Sequence, residues 1–324
     1  LVIGGLQESP LFPPLALAEY LQIQANFGEV VDIGGASSAG MIWRAAAAIE
    51  IGLCETVLVL VHSTPAPVEA GGDAAKMIMP PYLMGDAWGS PQGQFDIPYG
   101  LVAAAPSFAM VAQRYMSQYG VAPETLAKIA VDERNSALQN PKAVFKDKPI
   151  TIDDVLASPM VSDPVHLLEM VMPCFGGGAV VLTSAERAKK AKHRPVFLTG
   201  YGERISHKTV SYMDDLTVTP AKPSADKAFG MAGIDRSAID FCSFYDCFTI
   251  TVLMTLEDAG FVKKGQGGAF VEEHDLSFSG DFPINTHGGQ LGMGQGGAAG
   301  GLSHVIDALT QIQGRAEDRQ LAKA

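Results

Sequence analysis

A strand, a glycine-rich turn, a helix and a second strand follow one another between residues 30 and 61, and this order constrains the fold more than any other feature. Val30–Ile33 predicts a short buried strand that leads into the turn Gly34–Gly40. Met41–Ile51 is almost entirely apolar and predicts a helix buried on most faces. Val57–Val61 is a continuous apolar run, typical of a strand covered on both sides. This order favours parallel pairing and an α/β fold.

Further elements are expected on both sides of this unit. Leu1–Gly5 predicts a strand that begins at the first residue, without an initiator methionine. We therefore expect the chain to be shortened at its N-terminus. The other expected helices are 16–25, 101–119, 123–135, 152–157, 225–232 and 249–259. The other expected strands are 175–182, 195–198 and 240–244.

The second half of the chain repeats the pattern of the first. A glycine-rich turn at Ile284–Gly289 precedes a buried helix expected within Gly296–Gln313. We therefore predict an N-terminal half, 1–192, and a C-terminal half, 193–324. The segment from about 63 to 160 begins with a long stretch rich in Pro, Gly and Met, and it is expected to form a capping region over the first half.

Composition narrows the class of protein. A chain of 324 residues with 47% hydrophobic content can bury a large core. A formal charge of −12 argues against a nucleic-acid partner, which would need clustered cations. The apolar stretch Ile49–Val61 is interrupted by Glu50 and Glu55, so no membrane span is expected. Four cysteines without a CxxC pair or a secretory leader predict neither disulfides nor a metal site, and indicate a cytoplasmic protein.

Three separated stretches carry a family resemblance: Phe108–Ala188, Phe244–Phe261 and Asn285–Gly301. Through them the chain resembles the thiolase superfamily along nearly its whole length. It is most similar to the branch of sterol-carrier-protein-type thiolases and lipid-transfer-protein-like aldolases. The third stretch reads NTHGGQLGMGQGGAAGG.

The resemblance implies a thiolase-like, duplicated five-layer αβαβα fold, usually found as a homodimer with the active site where the two halves meet. Family members usually carry a further strand and helix before the position of Leu1. After the position of Ala324 they carry final strands with a cysteine-containing catalytic loop. The chain is therefore expected to be shortened at both ends.

The family nucleophile is a cysteine at the N-terminus of a buried helix, where the helix dipole lowers the thiol pKa. The matching position here is Gly35 when the helix end Ile49–Gly52 sets the register without a gap. A two-residue slip would place Ser37 there instead, and a serine at this point can equally be a helix cap. Neither residue provides a thiolate.

Tyr245 stands where the branch has the histidine of a His-Asp-Cys-Phe motif. A phenol with an ordinary pKa of about 10 is a poor base, but it can exchange a proton with an alcohol in a desolvated site. This chemistry suits an aldol reaction, in which a tyrosine of the aldolase-like relatives is thought to act. The alternative is a buried tyrosine that is hydrogen-bonded for packing. Asp246 is expected to cap the following helix or to orient catalytic groups.

The second glycine-rich turn supplies the remaining candidates. Gln295 matches the histidine of the family's Gly-His-Pro turn; it cannot shuttle a proton but can donate an N–H to a thioester oxygen. His287 is the imidazole that remains in this neighbourhood, either as an acid or base or as a local hydrogen-bonding group. The residues expected to line the substrate site are Gly35, Ser37, Ser38, Gly288, Gly289 and Gly294.

These residues predict an acyl-CoA-binding protein that makes or breaks a carbon–carbon bond beside a thioester, by retro-aldol or acyl-transfer chemistry. Coenzyme A enters as part of the substrate, and no permanently bound cofactor or metal is expected. Met77–Trp88 would suit a bulky apolar chain or ring, and Lys189–Arg194 is either a phosphate contact or a solvated linker. Cys174 and Cys247 are interpreted as structural.

The alternative is a non-catalytic acyl-CoA or lipid-binding subunit of a complex. Several relatives in this branch pair with a small zinc-ribbon and OB-fold protein, so the resemblance implies such a partner here as well. The two functions differ in whether Tyr245 is needed for turnover.

Overall fold

The computed structural model describes residues 1–4, 11–63, 91–297 and 300–323, in which helices pack around one four-stranded sheet. The strands are β1 (Val2–Ile3), β2 (Glu29–Val30), β3 (Thr56–Ser63), β4 (Met160–Ser162), β5 (Val165–His166) and β6 (Gly176–Thr183). The helices are α1 (Pro13–Leu21), α2 (Ser37–Glu50), α3 (Pro91–Phe95), α4 (Ala104–Tyr119), α5 (Pro123–Leu138), α6 (Ile152–Ala157), α7 (Ala185–Ala188), α8 (Ala221–Ala232), α9 (Thr249–Asp258), α10 (Gly267–Glu273), α11 (Gly289–Met293) and α12 (Gly300–Ile312).

The sheet has the strand order β2-β1-β3-β6. Strand β1 is parallel to both of its neighbours, which confirms the parallel pairing predicted from the strand-helix-strand unit. Strand β6 runs antiparallel to β3, from the pair Thr56 and Thr183 to the pair Ser63 and Gly176. Strands β2 and β3, which α2 connects, are separated in the sheet by β1, at the start of the chain.

One face of this sheet is covered by α2 and α12. Val57, Val59 and Val61 alternate along β3 and are fully buried, as the period of a strand requires. Met41 of α2 and Leu302 of α12 pack into the same cluster and have no exposed surface. The two helices therefore lie side by side on the sheet, although they are far apart in the sequence.

Helix α9 forms the centre of a second core. Leu253 and its apolar neighbours are buried against α4, where Tyr115 donates a hydrogen bond to Glu257 at 2.5 Å. At the start of α9 the ring of Phe248 stacks on Phe108, with ring centroids 4.4 Å apart. This packing fixes the segment that enters α9, which carries Tyr245 and Asp246.

Two expected strands are wrong. Residues 195–198 are extended but pair with no strand in the described chain. The chain just beyond them lies directly on α8, where β-carbons at Gly200 and Gly202 would collide with main-chain atoms of the helix. Residues 240–244 form only an isolated parallel bridge between Cys242 and Ile284, because the side chain of Asn285 then takes the next main-chain N–H, that of Phe244. An apolar extended run does not reveal whether it has a pairing partner.

The expected helices are present, with ends that differ by a few residues from the prediction. The stretch Met77–Trp88 and most of the loop before Pro91 lie outside the described residues. The boundary at residue 192 and the capping region of about 63–160 stay predictions. Across the described ranges, no single helix has the length and apolar character to cross a membrane; the sharply bent pair Gln92–Tyr99 and Ala104–Tyr119 meets that test only jointly.

Replacing Leu253 with alanine should lower the free energy of unfolding by about 2–5 kcal/mol, because it leaves a cavity at the centre of α9 packing. Urea unfolding followed by circular dichroism would measure the change. Met231→Ala on α8 is the matched control, since that side chain is 57% exposed and should change stability little. Equal losses in the two variants would contradict the assignment of α9 as the core of this half.

Candidate active site

The two glycine-rich turns meet at the N-termini of α2 and α12. A β-carbon on Gly301 would lie 2.7 Å from the carbonyl oxygen of Gly35 and 3.0 Å from Oγ of Ser38. Only a glycine allows the two helix starts to approach this closely. The fold thereby brings the first glycine-rich turn and the start of α2 against the start of α12.

The ring of Tyr245 lies directly on Gly35. A β-carbon at this glycine would come within 2.7 Å of three carbon atoms of the tyrosine ring, well inside van der Waals contact. The register chosen without a gap had placed the family nucleophile at Gly35. In this protein the tyrosine occupies the space that a side chain at that position would need, so the two are mutually exclusive.

The hydroxyl of Tyr245 is held by the second turn. Nε2 of Gln295 donates a hydrogen bond to it at 2.9 Å. Gln295 is itself fixed through its main chain, which pairs with Met172 at 2.9 Å and with Cys174 at 2.8 Å. Burial is the main cause that raises the pKa of Tyr245 above its ordinary value, and the hydrogen bond from Gln295 opposes it only in part. The phenol is therefore protonated and its own proton is available to a second group.

Asp246 is completely buried. It accepts hydrogen bonds from the main-chain N–H of Leu291 at 3.0 Å and from Nε2 of Gln290 at 3.3 Å. Nε2 of His304 lies 3.0 Å from Oδ1. Burial would raise the pKa of Asp246, but the neighbouring His304 and the hydrogen bonds outweigh it and hold the pKa well below the usual range. Asp246 does not cap α9, whose first residues receive no side-chain cap.

Glu133 of α5 shares this buried pocket. Its Oε1 accepts a hydrogen bond from Nδ2 of Asn285 at 2.7 Å. Its Oε2 and Oδ2 of Asp246 both lie against the α-carbon of Gly289, where a β-carbon would collide with them. Complete burial, followed by the charge of Asp246 and a hydrogen bond with it, raises the pKa of Glu133 well above the usual range. The raised pKa of Glu133 and the lowered pKa of Asp246 favour a proton on Glu133 and a negative charge on Asp246.

His287 contacts Ser303 and Asp307 of α12. Its Nε2 is 3.0 Å from Oγ of Ser303, and its Nδ1 is 3.5 Å from Oδ2 of Asp307. Burial would raise the pKa of Asp307, but His287, Thr286 and Arg319 together hold it well below the usual range. In the described part of the chain, His287 has no hydrogen bond with Tyr245. Its role as acid or base stays a prediction.

The remaining predicted residues separate into two groups. Oγ of Ser37 accepts the N–H of Ile33 at 2.9 Å and donates to the carbonyl of Gly34 at 2.6 Å, which fits the structural alternative for this serine. Oγ of Ser38 is buried without a hydrogen-bond partner and faces the start of α12. Gly288 and Gly294 have φ of 103° and 105°, so they shape the second turn and contribute only main-chain atoms.

Sequence reasoning missed His304, Glu133 and Gln290. His287 was interpreted as the imidazole that remained here, but the rings of His287 and His304 lie edge to face, 5.0 Å apart. A signal existed, because His304, Asp307 and Gln311 form a polar stripe with i, i+3, i+7 spacing on an otherwise apolar helix, and all three are buried. Such a stripe indicates a buried polar partner on another element.

The cysteines near the site are thiols. Burial raises the pKa of Cys247 to about 12, and it also raises the pKa of Cys174. Because a thiol is a poor nucleophile, neither group is prepared to carry an acyl group. Both observations agree with the structural interpretation of these cysteines.

Residues 202–324 match the family model described as thiolase C-terminal domain-like. The chain is 31% identical over 300 residues to a steroid side-chain-cleaving aldolase of Thermomonospora curvata, covering 90% of this chain and 74% of that protein. It is 29% identical over 296 residues to a 17-hydroxy-3-oxo-4-pregnene-20-carboxyl-CoA lyase of Mycobacterium tuberculosis, with coverages of 90% and 75%. A solved structure, the Ltp2-ChsH2(DUF35) aldolase, superposes with a TM-score of 0.83 at 28% identity over 97% of this chain and 79% of that one. This similarity confirms the predicted fold class.

Gly35→Ala should displace the Tyr245 ring and break its hydrogen bond with Gln295, with a loss of about 1–3 kcal/mol of stability from overpacking. Crystallography and urea unfolding would measure the two effects. The loss should disappear when Tyr245→Ala is the background, because the clash is then removed. Gly230→Ala on α8 is the matched control, since nothing lies within 4 Å of its added methyl. A Gly35→Ala protein with Tyr245 unmoved would contradict the packing described here.

Glu133→Gln should stabilise the protein increasingly as pH rises. The folded pKa of Glu133 is raised, so its contribution is fully present below the unfolded pKa of about 4.3, declines above that value and is lost as pH rises through the folded pKa. The glutamine keeps both hydrogen bonds without titrating, and its advantage should grow by about 1.4 kcal/mol per pH unit within that window. Urea unfolding at several pH values between about 4 and 8 would measure this.

The matched control is Glu124→Gln, an exposed glutamate at the start of the same helix. The free energy of unfolding of Glu124→Gln should differ from that of the wild type by an amount that does not change with pH in this way. A constant difference for Glu133→Gln between acid and neutral pH would show that the buried glutamate is ionised in the folded protein.

Proposed function

Because the chain belongs to the thiolase superfamily, we propose that it is an enzyme that makes or breaks a carbon–carbon bond beside a coenzyme A thioester by aldol chemistry. The reaction proceeds without a covalent acyl-enzyme. Similarity to an aldolase and to a CoA lyase supports this class of reaction.

The contact between Tyr245 and Gly35 is the observation that carries the proposal. Thiolysis needs a thiolate at the helix N-terminus, and here a phenol ring fills that space. The nearby Cys247 and Cys174 have raised pKa values and stay protonated. A retro-aldol reaction needs no nucleophile of this kind; it needs proton transfer at the β-hydroxyl and stabilisation of an enolate.

The groups around Tyr245 suit those two tasks. Its hydroxyl accepts a hydrogen bond from Gln295, and its oxygen can also accept one from the β-hydroxyl of a substrate. The second N–H of the Gln295 amide can donate to the thioester oxygen as negative charge develops there. The N-terminus of α2 beside Gly35 adds the positive end of a helix dipole. Together these groups bind the alcohol and hold the enolate.

The proposed substrate is a β-hydroxyacyl-CoA with a bulky, ring-containing acyl group, in keeping with the steroid substrates for which two relatives are named. Coenzyme A is part of the substrate. The cation run Lys189–Arg194 is exposed, and Arg194 donates to the carbonyl of Ile312, so its contact with the CoA phosphates stays a prediction.

We also propose that the chain works with a small zinc-ribbon and OB-fold partner and as a homodimer. The solved structure with a TM-score of 0.83 is an aldolase whose name includes a DUF35 component, which supports a partner of that kind. Activity should therefore be measured both for the chain alone and with a co-expressed DUF35 protein.

Tyr245→Phe should lower kcat for retro-aldol cleavage by about 10²- to 10⁴-fold, because the ring packing stays and the exchangeable proton is lost. Incubation of the protein, alone and with a DUF35 partner, with a steroid β-hydroxyacyl-CoA would be followed by liquid chromatography of the ketone or aldehyde and the shortened acyl-CoA. Tyr212→Phe, an exposed tyrosine, is the matched control.

Three results are informative. Cleavage that depends on Tyr245 supports the proposed reaction. Tight acyl-CoA binding with no cleavage by any preparation would favour the non-catalytic subunit instead. Thiolysis that survives in Tyr245→Phe and yields a covalent acyl-enzyme would overturn the proposal in favour of acyl transfer.

A further inference from the structure

His304 is a buried imidazole that the proposed reaction leaves without a role. It lies on α12 and is only 6% exposed. Nε2 of its ring is 3.0 Å from Oδ1 of Asp246 as an ion-pair contact, and neither ring nitrogen makes a hydrogen bond with the described residues. Its ring centroid lies 6.3 Å from that of Tyr245. An unpaired basic nitrogen in such a site calls for an explanation, because buried polar atoms are rarely left unsatisfied.

The tautomer of His304 follows from its neighbour. Asp246 is ionised and can only accept hydrogen bonds, so in the neutral imidazole the proton lies on Nε2 and Nδ1 keeps its lone pair. This is the arrangement of a histidine–carboxylate pair, in which the carboxylate fixes the ring and leaves the opposite nitrogen basic.

His287 is not equivalent. Oγ of Ser303 donates its own proton to the carbonyl of Gly300, so it must accept from Nε2 of His287. Nδ1 of His287 faces the carboxylate of Asp307. Nδ1 of His287 also has no hydrogen-bond partner among the described residues, but it lies 3.5 Å from the Asp307 carboxylate, whereas the carboxylate contact of His304 is made by Nε2.

Tyr245 requires a neighbouring basic nitrogen that can take its proton. A neutral phenol cannot take the proton of a substrate hydroxyl unless it passes its own proton on. The ring centroids of Tyr245 and His304 lie 6.3 Å apart with no direct hydrogen bond between the two side chains in the described part of the chain, so the inference requires one bridging oxygen to carry the proton. The amides of Gln290 and Gln295 do not accept protons at neutral pH.

We propose that His304 is the proton acceptor of this site: its Nδ1 takes the Tyr245 proton while the phenol oxygen takes the proton of the substrate β-hydroxyl. This inference rests on the proposed retro-aldol function. The O–H electron pair becomes the carbonyl π bond, the Cα–Cβ bond breaks, and its electron pair forms the thioester enolate. The proton held on His304 then returns through Tyr245 to Cα, so no oxidant, reductant or co-reactant is needed. His304 acts through Tyr245 and is a positioning residue rather than a group that touches substrate.

Several charged or titratable groups surround His304 and affect its charge. Tyr245 and Asp246 precede α9, Glu133 comes from α5, and His287 lies edge to face at 5.0 Å. Asp307 and Arg319 form an ion pair with each other at 3.0 Å behind His287. With Glu133 protonated, Asp246 is the charge in direct contact with His304, and it favours the imidazolium that forms when the proton arrives.

His304→Gln is the decisive variant, because its amide nitrogen reproduces Nε2 and keeps the Asp246 contact but provides no basic nitrogen. We expect kcat for cleavage to fall by about 10²- to 10⁴-fold with little change in KM. The acid-side limb of the kcat–pH profile, which reports protonation of the acceptor, should disappear. His274→Gln, where the wild-type Nδ1 lies 2.6 Å from Asp281 at the end of α10, is the matched control and should keep that limb. A His304→Gln protein with wild-type kcat and an unchanged pH profile would overturn the proposal.

A second measurement does not depend on turnover. In the full chain labelled with ¹⁵N-histidine, the His304 signals, assigned by their loss in His304→Gln, should show a protonated Nε2 and an unprotonated Nδ1 in the neutral ring, with a titration that changes in Tyr245→Phe. A proton on Nδ1 of the neutral ring would refute the inference. Absence of cleavage in the wild type with the expected tautomer would instead count against the proposed function alone.

Discussion

The contact of the Tyr245 ring with the α-carbon of Gly35 is the constraint on which the candidate site depends. It places an aromatic side chain from the segment before α9 on the N-terminus of α2, and leaves no volume for a nucleophile there. The hydroxyl then meets Gln295 of the second turn at 2.9 Å. A single glycine thus lets a phenol occupy the start of α2, and this contact is the steric basis of the proposed non-covalent reaction.

Behind this contact lies an unusual concentration of buried charge. Asp246 is held ionised by main-chain and side-chain donors and by His304, and Glu133 beside it is kept protonated. Two like charges at this separation inside the protein would repel strongly, so one carboxyl takes up a proton and becomes a donor. His287 and Asp307 form a second imidazole–carboxylate pair against the first. Within the described residues, this arrangement leaves both ring nitrogens of His304 and Nδ1 of His287 without a hydrogen bond.

The fold around the site could be predicted where periodicity was strong. Helices such as α6, at Ile152–Ala157, follow from local pattern and capping by Thr151. The strand expected at 195–198 could not be distinguished from an extended segment lying on a helix, because the difference is the presence of a pairing partner. Gly35, Tyr245 and Gln295 were chosen from motif positions, whereas Glu133 belongs to an ordinary-looking helix and carries no local signal.

The sequence by itself determined the α/β class, the glycine-rich turns and the absence of a sulfur at the position matching the family nucleophile, because each of these is a property of neighbouring residues. Only the tertiary structure decided which side chains share a pocket. It brought α2 and α12 together through Gly301, set Tyr245 against Gly35 and paired His304 with Asp246. Such contacts join residues more than fifty positions apart, and their distances are fixed by packing of the two cores rather than by any local pattern.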